Sequence, residues 1–215
     1  DASLEQLTSL SDSRFRFLNP GEISNGQVAF SSNSGVRFSL NLLPSDPGLN
    51  ALISQAQGQA AVLDLSAFTT AQSLSGTLAI AREADFNSVA GFYRTLDAAG
   101  TVLGADSITR FRPGDSGYTA AALRTDNIIG QLGNLSVGDN QTTTRSFSGV
   151  NGGTFLAPFA QVNGNSFFTF GGANTDRLSH FRSLGNNLFG FEDTLGGGDK
   201  DYDDMVIGFS FTNVV

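Results

Sequence analysis

Six carboxylates lie within thirteen residues near the C-terminal end of this 215-residue chain. They surround the glycine run Gly196 to Gly198, and apolar, aromatic-rich segments flank them on both sides. So many acids repel one another strongly unless a cation lies among them, and the one lysine of the segment, Lys200, is not enough to offset them. The six residues are Glu192, Asp193, Asp199, Asp201, Asp203 and Asp204.

The spacing of these acids predicts a calcium site between two strands. Calcium takes about 6–8 oxygen ligands, and the alternate positions Asp199, Asp201 and Asp203 can turn toward one ion in a looped backbone. The glycines let the chain fold back, so that the two acids before them face the same ion. Asp204 adjoins the returning strand and is expected either to bind the ion from there or to accept backbone N–H groups of the turn.

Other interpretations of this segment fit its residues less well. An EF-hand counted from Asp199 needs glycine at position six and glutamate at position twelve, where this chain has Asp204 and Ser210. The glycine-rich calcium repeats of parallel β-helices occur in stacks, and this run occurs once. A phosphate loop needs serine or threonine after Lys200, and zinc is disfavoured in a chain with no cysteine and one histidine. The remaining alternative is a solvated acidic turn.

The segment from Thr175 to Phe211 resembles a bacterial domain-of-unknown-function family, number 4114. The resemblance rests on Gly-Phe-Glu-Asp, the glycine triplet, and the run Asp-Lys-Asp-Tyr-Asp-Asp that follows. The upstream stretches AGFYRTLDAAGTVL and RFRPGDSGYTAAAL look like an earlier part of the same proteins, more loosely, from Asp85 to Leu123. No resemblance is visible before about residue 80 of the chain.

This resemblance implies a secreted or surface protein of bacteria that binds calcium and has no assigned enzymatic activity. Carried over residue by residue, it implicates the same six acids in ion binding. One of them departs from the family pattern, because Asp203 stands where asparagine is common. The change adds charge but keeps an oxygen ligand.

Composition and charge narrow the class of protein. The net charge is −8, but without the six acids fourteen acidic residues face twelve basic ones, which leaves −2. No basic patch is visible, so nucleic acid is a disfavoured partner. No apolar run is long enough to span a membrane. The absence of cysteine leaves the redox compartment open, whereas a calcium site and a first residue other than methionine favour a secreted, extracellular chain whose signal peptide has been removed.

Short alternating segments separated by glycine-rich turns predict a mainly β fold, an antiparallel β-sandwich or jelly-roll with two short helices. We expect one domain over residues 1–215, with residues 1–19 as an N-terminal arm and residues 175–211 as the calcium region. Hairpins are expected within 28–40, between 88–96 and 101–103, and between 142–150 and 154–162, the last turning at Asn151–Gly153. After the acids, Met205 to Phe211 is predicted to be a half-buried strand with its phenylalanines inward.

Two helices are predicted from their caps. Asp46 precedes Pro47 and apolar residues at helical spacing, which predicts a helix continuing to about Gln57 with Gly58 as its stop. Asp115 is the expected cap of a second helix within 116–127. Asp85 and Asp115 together form a candidate second ion site, although capping is the simpler explanation of Asp115.

Catalytic chemistry is not expected. The one histidine, His180, alternates with Leu178 and Arg182 and is predicted to be a surface residue of a strand. Glu192 and Asp193 could in principle act as a glycosidase pair, but ion binding competes for the same acids. The favoured hypothesis is a non-enzymatic, calcium-stabilised structural or adhesion module of a bacterial surface or biofilm matrix.

Two further hypotheses belong to different classes. The first is a self-assembling fibre subunit, a homo-oligomer in which the segment containing Phe15 and Phe17 completes the sheet of a neighbouring copy. The second is a calcium-dependent carbohydrate-binding or carbohydrate-active protein, because calcium can coordinate sugar hydroxyls. The chain has no tryptophan and three tyrosines, so a glycan partner has no direct support from aromatic residues.

Overall fold

β-Strands are the main secondary structure in the part of the chain that the computed structural model describes, which is residues 46–55 and 58–215 together with the backbone of three earlier strands. The prediction of a mainly β, antiparallel fold with two short helices is confirmed. The strands are β1 (Phe15–Phe17), β2 (Gln27–Ser32), β3 (Arg37–Asn41), β4 (Leu63–Asp64), β5 (Ser73–Arg82), β6 (Ser88–Thr95), β7 (Val102–Leu103), β8 (Arg110–Phe111), β9 (Gln141–Asn151), β10 (Phe155–Val162), β11 (Asn165–Phe168), β12 (Phe181–Gly185), β13 (Leu188–Phe191) and β14 (Met205–Val214). The helices are α1 (Pro47–Ile53) and α2 (Tyr118–Ala122).

Two larger sheets share one apolar core. The first has the strand order β12-β13-β14-β5-β9, and every pairing in it is antiparallel. In the second, β10 pairs along its length with β6 and also with β4 and β11. Ile80 and Ile207 of the first sheet belong to the same buried cluster as Phe92 and Leu156 of the second. The sheets therefore form the two layers of a β-sandwich.

Phenylalanine rings fill the space between the layers. The ring of Phe209 meets those of Phe92, Phe147 and Phe189 edge-on at centroid distances of 5.0, 5.7 and 6.0 Å, and it stacks with Phe211 at 5.9 Å. Edge-to-face pairs contribute beyond the area they bury, because the positive ring edge meets the negative ring face. The core is thus centred on β14, the strand that follows the acidic segment.

Strand β14 is buried more completely than the sequence predicts. Phe209 and Phe211 point into the shared core as expected, but Val206 and Ser210 on the opposite face are also only 1% and 4% exposed. The strand lies in the interior of its sheet, between β13 and β5. The prediction of a half-buried strand is therefore wrong for the second face.

The first three strands form a small antiparallel sheet in the order β1-β2-β3. The predicted hairpin within 28–40 is confirmed, with Val28 opposite Leu40 and Phe30 opposite Phe38. The predicted arm contains β1, which pairs with β2 of its own chain. The rest of the predicted arm, residues 1–14 and 18–19, lies outside the described residues, and strand exchange between copies remains a prediction.

Both helices are shorter than predicted. Asp46 caps α1 as expected, since its side chain accepts a hydrogen bond of 3.0 Å from Leu49 N, but the helix ends at Ile53 and Ser54 is extended. Beyond it the chain meets the first sheet, where Gly58 N donates to Ser183 O. The cap of α2 is Gly117, and the prediction of Asp115 in that role is wrong.

Two predicted hairpins are wrong because their strands find other partners. Strand β9 pairs with β5 in one sheet and β10 with β6 in the other, so the turn at 151–153 crosses between the layers. Gly152 N donates to Gln72 O and Gly153 N to Leu65 O, which fixes this crossing. Strand β7 pairs with β8. Just after β6, Leu96 N donates a hydrogen bond to Thr101 O, which precedes β7.

Within the described residues, no helix combines the length and the apolar character needed to cross a membrane.

Truncating the central ring should test the shared core. We expect Phe209→Ala to lower the free energy of unfolding by about 3–5 kcal/mol, because it leaves a cavity among four aromatic rings. Urea unfolding measures the change. Ile108→Ala is the control, since Ile108 is 80% exposed and its truncation should change stability by less than about 0.5 kcal/mol. Equal effects of the two substitutions would contradict this description of the core.

Candidate metal centre

The acidic segment is the loop between the adjacent strands β13 and β14. Gly190 pairs with Val206 where the strands end, and a parallel bridge joins Phe191 to Asp203 one step further. This close return requires a glycine at position 190, because a Cβ atom there would lie 2.3 Å from Tyr202 O. The acids at the two ends of the loop are thereby held side by side.

Most of these acids are removed from solvent. The exposed fractions of Glu192, Asp193, Asp201 and Asp203 are 2%, 5%, 2% and 7%, and Asp199 and Asp204 are half-buried. Burial of an ionised carboxylate without a compensating charge is costly, so this is an unusual place for six acids. In the described part of the chain, no ion pair joins Lys200 to them.

Five of the six acids form two groups that share one member. Within each group the carboxylate oxygens, one from each residue, all lie within 4.8 Å of one another. Two oxygens bound to one calcium ion at about 2.3–2.6 Å cannot be more than about 5 Å apart, so each group fits that ion. The groups are Glu192 with Asp199 and Asp201, and Glu192 with Asp193 and Asp204.

The hydrogen bonds of the loop leave particular oxygens unused. Glu192 Oε2 accepts from Lys200 N at 3.0 Å, and Asp204 Oδ2 accepts from Asp193 N at 2.7 Å. Asp193 Oδ2 and Asp201 Oδ2 are buried and, among the described residues, have no hydrogen-bond donor. Buried carboxylate oxygens are normally satisfied, so these two atoms require a partner of another kind.

Burial and mutual repulsion raise the pKa of several of these acids. Burial, with the neighbouring carboxylates, raises the pKa of Glu192 to about 7 and that of Asp201 to about 6. The same causes raise the pKa of Asp203 to about 10 and that of Asp204 to about 9, and burial raises that of Asp193. Protons therefore bind this loop tightly when nothing else neutralises it.

The loop backbone is shaped around the carboxylate of Glu192. A Cβ atom at Gly198, where φ is +40°, would lie 2.2 Å from Glu192 Oε1. Lys200 and Tyr202, on either side of Asp201, both have positive φ, at 65° and 63°. Such backbone is uncommon for residues other than glycine, and it is often found at functional sites.

Tyr202 fixes the second half of the loop. Its hydroxyl donates to Ser179 O at 3.1 Å, and the guanidinium of Arg182 lies 4.5 Å from the centre of its ring. A cation over an aromatic face is attracted by the negative charge of that face. These contacts hold the residue next to Asp201 in its left-handed conformation.

His180 is fully buried, so its prediction as a surface residue is wrong. Its ring packs on Phe167 at a centroid distance of 4.3 Å, with Nδ1 2.7 Å from Glu192 O and Nε2 2.9 Å from Asp176 Oδ2. The polar contacts explain how a histidine is accommodated there. His180 supports the backbone of the loop and is not directed at its carboxylate groups.

Asp176 was missed by the sequence analysis. Its Oδ2 atom accepts from both His180 Nε2 and Gly196 N, at 2.9 Å each. Partial burial opposes ionisation, but these hydrogen bonds and one from Leu178 N hold the pKa of Asp176 below its usual value. Asp176 and His180 therefore tie Gly196 to Glu192 from beneath the loop.

The acids line an open cavity of about 740 Å³ at one end of the first sheet. Glu83 follows β5 and Asp139 precedes β9, and both lie in its wall although the sequence analysis missed them. Arg82 joins these two segments, since its guanidinium donates to the carbonyls of Val137, Ala84 and Phe86. Four neighbouring strands, β13, β14, β5 and β9, thus bring carboxylates to one place.

The positions of the predicted site residues differ in detail from expectation. All six acids line this cavity, but Asp203 belongs to neither group of close oxygens, and its backbone N–H faces Asp201 Oδ1 at 3.3 Å. The Asp204 carboxylate accepts a hydrogen bond from the backbone N–H of Asp193, which is one of the two roles predicted for it.

The candidate pair of Asp85 and Asp115 does not come together. Asp85 lines the acidic cavity, whereas Asp115 lines another depression beside Tyr118. Asp115 instead accepts a hydrogen bond of 2.7 Å from Arg112 N in the turn before α2. The suggestion of a second ion site built from these two residues is wrong.

Comparison with known proteins finds a match to a family model. Residues 130–212, from just before β9 through most of β14 and including the whole acidic loop, match a family model described as "Domain of unknown function (DUF4114)". No curated protein and no solved structure matches the chain.

The raised pKa values predict an unusual pH dependence in the presence of a chelator. The folded loop binds protons more tightly than the unfolded chain, so stability should fall as the pH rises from the ordinary carboxyl value of 4.5 through about 7 for Glu192. Saturating calcium competes with those protons and should remove or reverse the trend. Urea unfolding at several pH values in that range, with calcium or chelator, measures both curves. Greater stability of the chelated protein at the upper end would contradict the shifts.

Proposed function

We propose, on the geometry of the acidic loop, that this protein is a calcium-binding, calcium-stabilised structural or adhesion module that acts outside the cell; its residues 130–212 match the DUF4114 family model. The ion lies in the loop between β13 and β14. Its role is to neutralise the buried carboxylates and to hold the strand ends together. No catalytic step is part of this proposal.

The observation that carries the proposal is the pair of unused oxygens. Asp193 Oδ2 and Asp201 Oδ2 are buried, accept no hydrogen bond within the described chain, and belong to residues that line the acidic cavity. A solvated acidic turn, the simpler alternative, would leave such oxygens in water. A cation supplies the partner that both atoms need.

The donor set favours calcium over other metals. Every candidate ligand is a carboxylate oxygen, which suits hard cations. His180, the one histidine, has both ring nitrogens engaged with Glu192 O and Asp176. Magnesium needs near-ideal octahedral geometry and retains its waters, whereas calcium accepts irregular sets of many oxygens.

The position of the loop explains why binding would stabilise the sandwich. The proposed ligands lie between the end of β13 and the start of β14. Glu83 and Asp139 lie at the neighbouring ends of β5 and β9. Because an unfolded chain does not hold these groups together, the free energy of ion binding adds to the free energy of folding. This suits a protein that works where calcium is plentiful.

Calcium should raise the melting temperature more than magnesium does. With the ion held at about one hundred times its dissociation constant, the expected gain in the free energy of unfolding is about 2.7 kcal/mol. Thermal unfolding in calcium, in magnesium and in excess chelator measures the difference. Identical melting curves in calcium and chelator would overturn the proposed function.

Asp201→Asn should weaken calcium binding by about tenfold or more, because it removes the charge of a buried ligand while keeping an oxygen for Asp203 N. Isothermal titration calorimetry measures the affinity. Asp115→Asn is the matched control, since it removes an acid outside the cavity and should leave affinity unchanged.

A second control concerns the charge beside Asp201. Lys200→Ala should leave affinity unchanged or raise it slightly, because it removes a positive charge from an exposed position near the ligands. If Asp201→Asn binds as tightly as the parent while Lys200→Ala does not, Asp201 is not a ligand.

A further inference from the structure

We propose that the loop between β13 and β14 binds two calcium ions that share the carboxylate of Glu192 as a bridge. This inference rests on the proposed function and specifies the number of ions and the ligands of each. The first ion site contains Asp199 and Asp201, and the second contains Asp193 and Asp204.

The arrangement of the oxygens favours two sites over one. The close oxygens form two groups of three, and Glu192 is the member common to both. The ligands of the first site come from the segment after the glycines, and those of the second site come from the start and the end of the loop. A single ion would coordinate one group and leave the other group without a cation.

The unused buried oxygens are divided in the same way. Asp201, whose Oδ2 atom has no hydrogen-bond partner among the described residues, is in the first group, and Asp193, whose Oδ2 atom also has none, is in the second. Both residues are at least nine-tenths buried, with 2% and 5% of their surfaces exposed. Each site therefore contains its own buried carboxylate oxygen that needs a cation, and one ion would satisfy only one of them.

Charge also favours two ions over one. The five grouped carboxylates carry five negative charges when ionised, and the sixth acid of the loop, Asp203, lines the same cavity, as do Glu83, Asp85 and Asp139. One divalent ion would leave four of the six charges unbalanced beside one another, whereas two ions leave two. Exposed Lys200 and solvent at the open side of the cavity can offset that smaller remainder.

Glu192 is held where a bridging ligand must be. Lys200 N donates to its Oε2 atom, and the missing side chain of Gly198 leaves space for Oε1. Its backbone carbonyl accepts the hydrogen bond from His180 Nδ1. The carboxylate is thus fixed from the backbone and the loop, and its remaining lone pairs are available to both groups.

Native mass spectrometry and calorimetry of the full chain with calcium test the number of ions. The parent is expected to bind two. Asp199→Asn should weaken the first site, Asp193→Asn should weaken the second, and each variant should retain one calcium ion of near-parental affinity. Glu192→Gln should weaken both sites. Asp115→Asn, outside the cavity, should retain both ions.

The outcomes separate the two proposals. If the parent binds no calcium, the proposed function fails and the two-ion site fails with it. If the parent binds one ion, and Asp199→Asn and Asp193→Asn both weaken that ion, the bridge is overturned and the calcium function stands. The parent's mass shift needs no variant, so the count holds even if a substitution prevents folding.

Crystals of the parent grown with calcium should show two peaks of anomalous scattering beside Glu192, and one peak would contradict the proposal.

Discussion

The repulsion between buried carboxylates at one end of a β-sheet is the constraint on which the rest of this structure depends. Ionised carboxylates a few ångströms apart, shielded from water, destabilise the fold unless protons or cations neutralise them. Burial, together with the neighbouring carboxylates, raises the pKa of Glu192, Asp201 and Asp204. The sandwich core fixes the two strands that the acidic loop joins, so the acids at the ends of the loop cannot separate without disrupting β13 or β14.

Support for the loop comes from residues that are not ligands. Asp176 and His180 lie beneath it and bond the backbone at Gly196 and Glu192. Tyr202 is anchored from the side through Ser179 and Arg182. These contacts fix the shape of the loop independently of the proposed ion, and a preformed set of ligands loses less conformational entropy on binding than a flexible one.

The acidic loop and the helix cap could be predicted from the sequence, whereas the pairing of distant strands could not. The acids of the loop and the Asp46 cap follow from residues close together in the chain, so the sequence predicts them. The sequence at Gly152 and Gly153 predicts a hairpin because glycines indicate that the chain turns. They do not indicate which strands will pair on either side of the turn. Glu83 and Asp139 join the cavity only because β5 pairs with β14 and β9 pairs with β5, which no local pattern indicates.

His180 illustrates a different limit. Alternation along a strand predicts which side of the sheet a residue faces, and a polar residue on such a strand is assigned to solvent by default. Here the segment before β12 passes under the acidic loop, where Asp176 and the Glu192 carbonyl supply hydrogen-bond partners for both ring nitrogens. A buried polar residue is tolerated when such partners exist, and they can be identified only once the fold brings them together.

In the proposed function, protons and calcium relieve the same repulsion by different means, which links ion binding to folding. A proton neutralises one carboxylate and leaves its neighbours where they are. The proposed calcium ion would bridge several carboxylates and join the start of the loop to its end, so it would stabilise the arrangement of strands as well as the charge. Because β14 follows the loop directly and carries the phenylalanines at the centre of the core, tightening of the loop would act on the strand whose side chains pack against both layers.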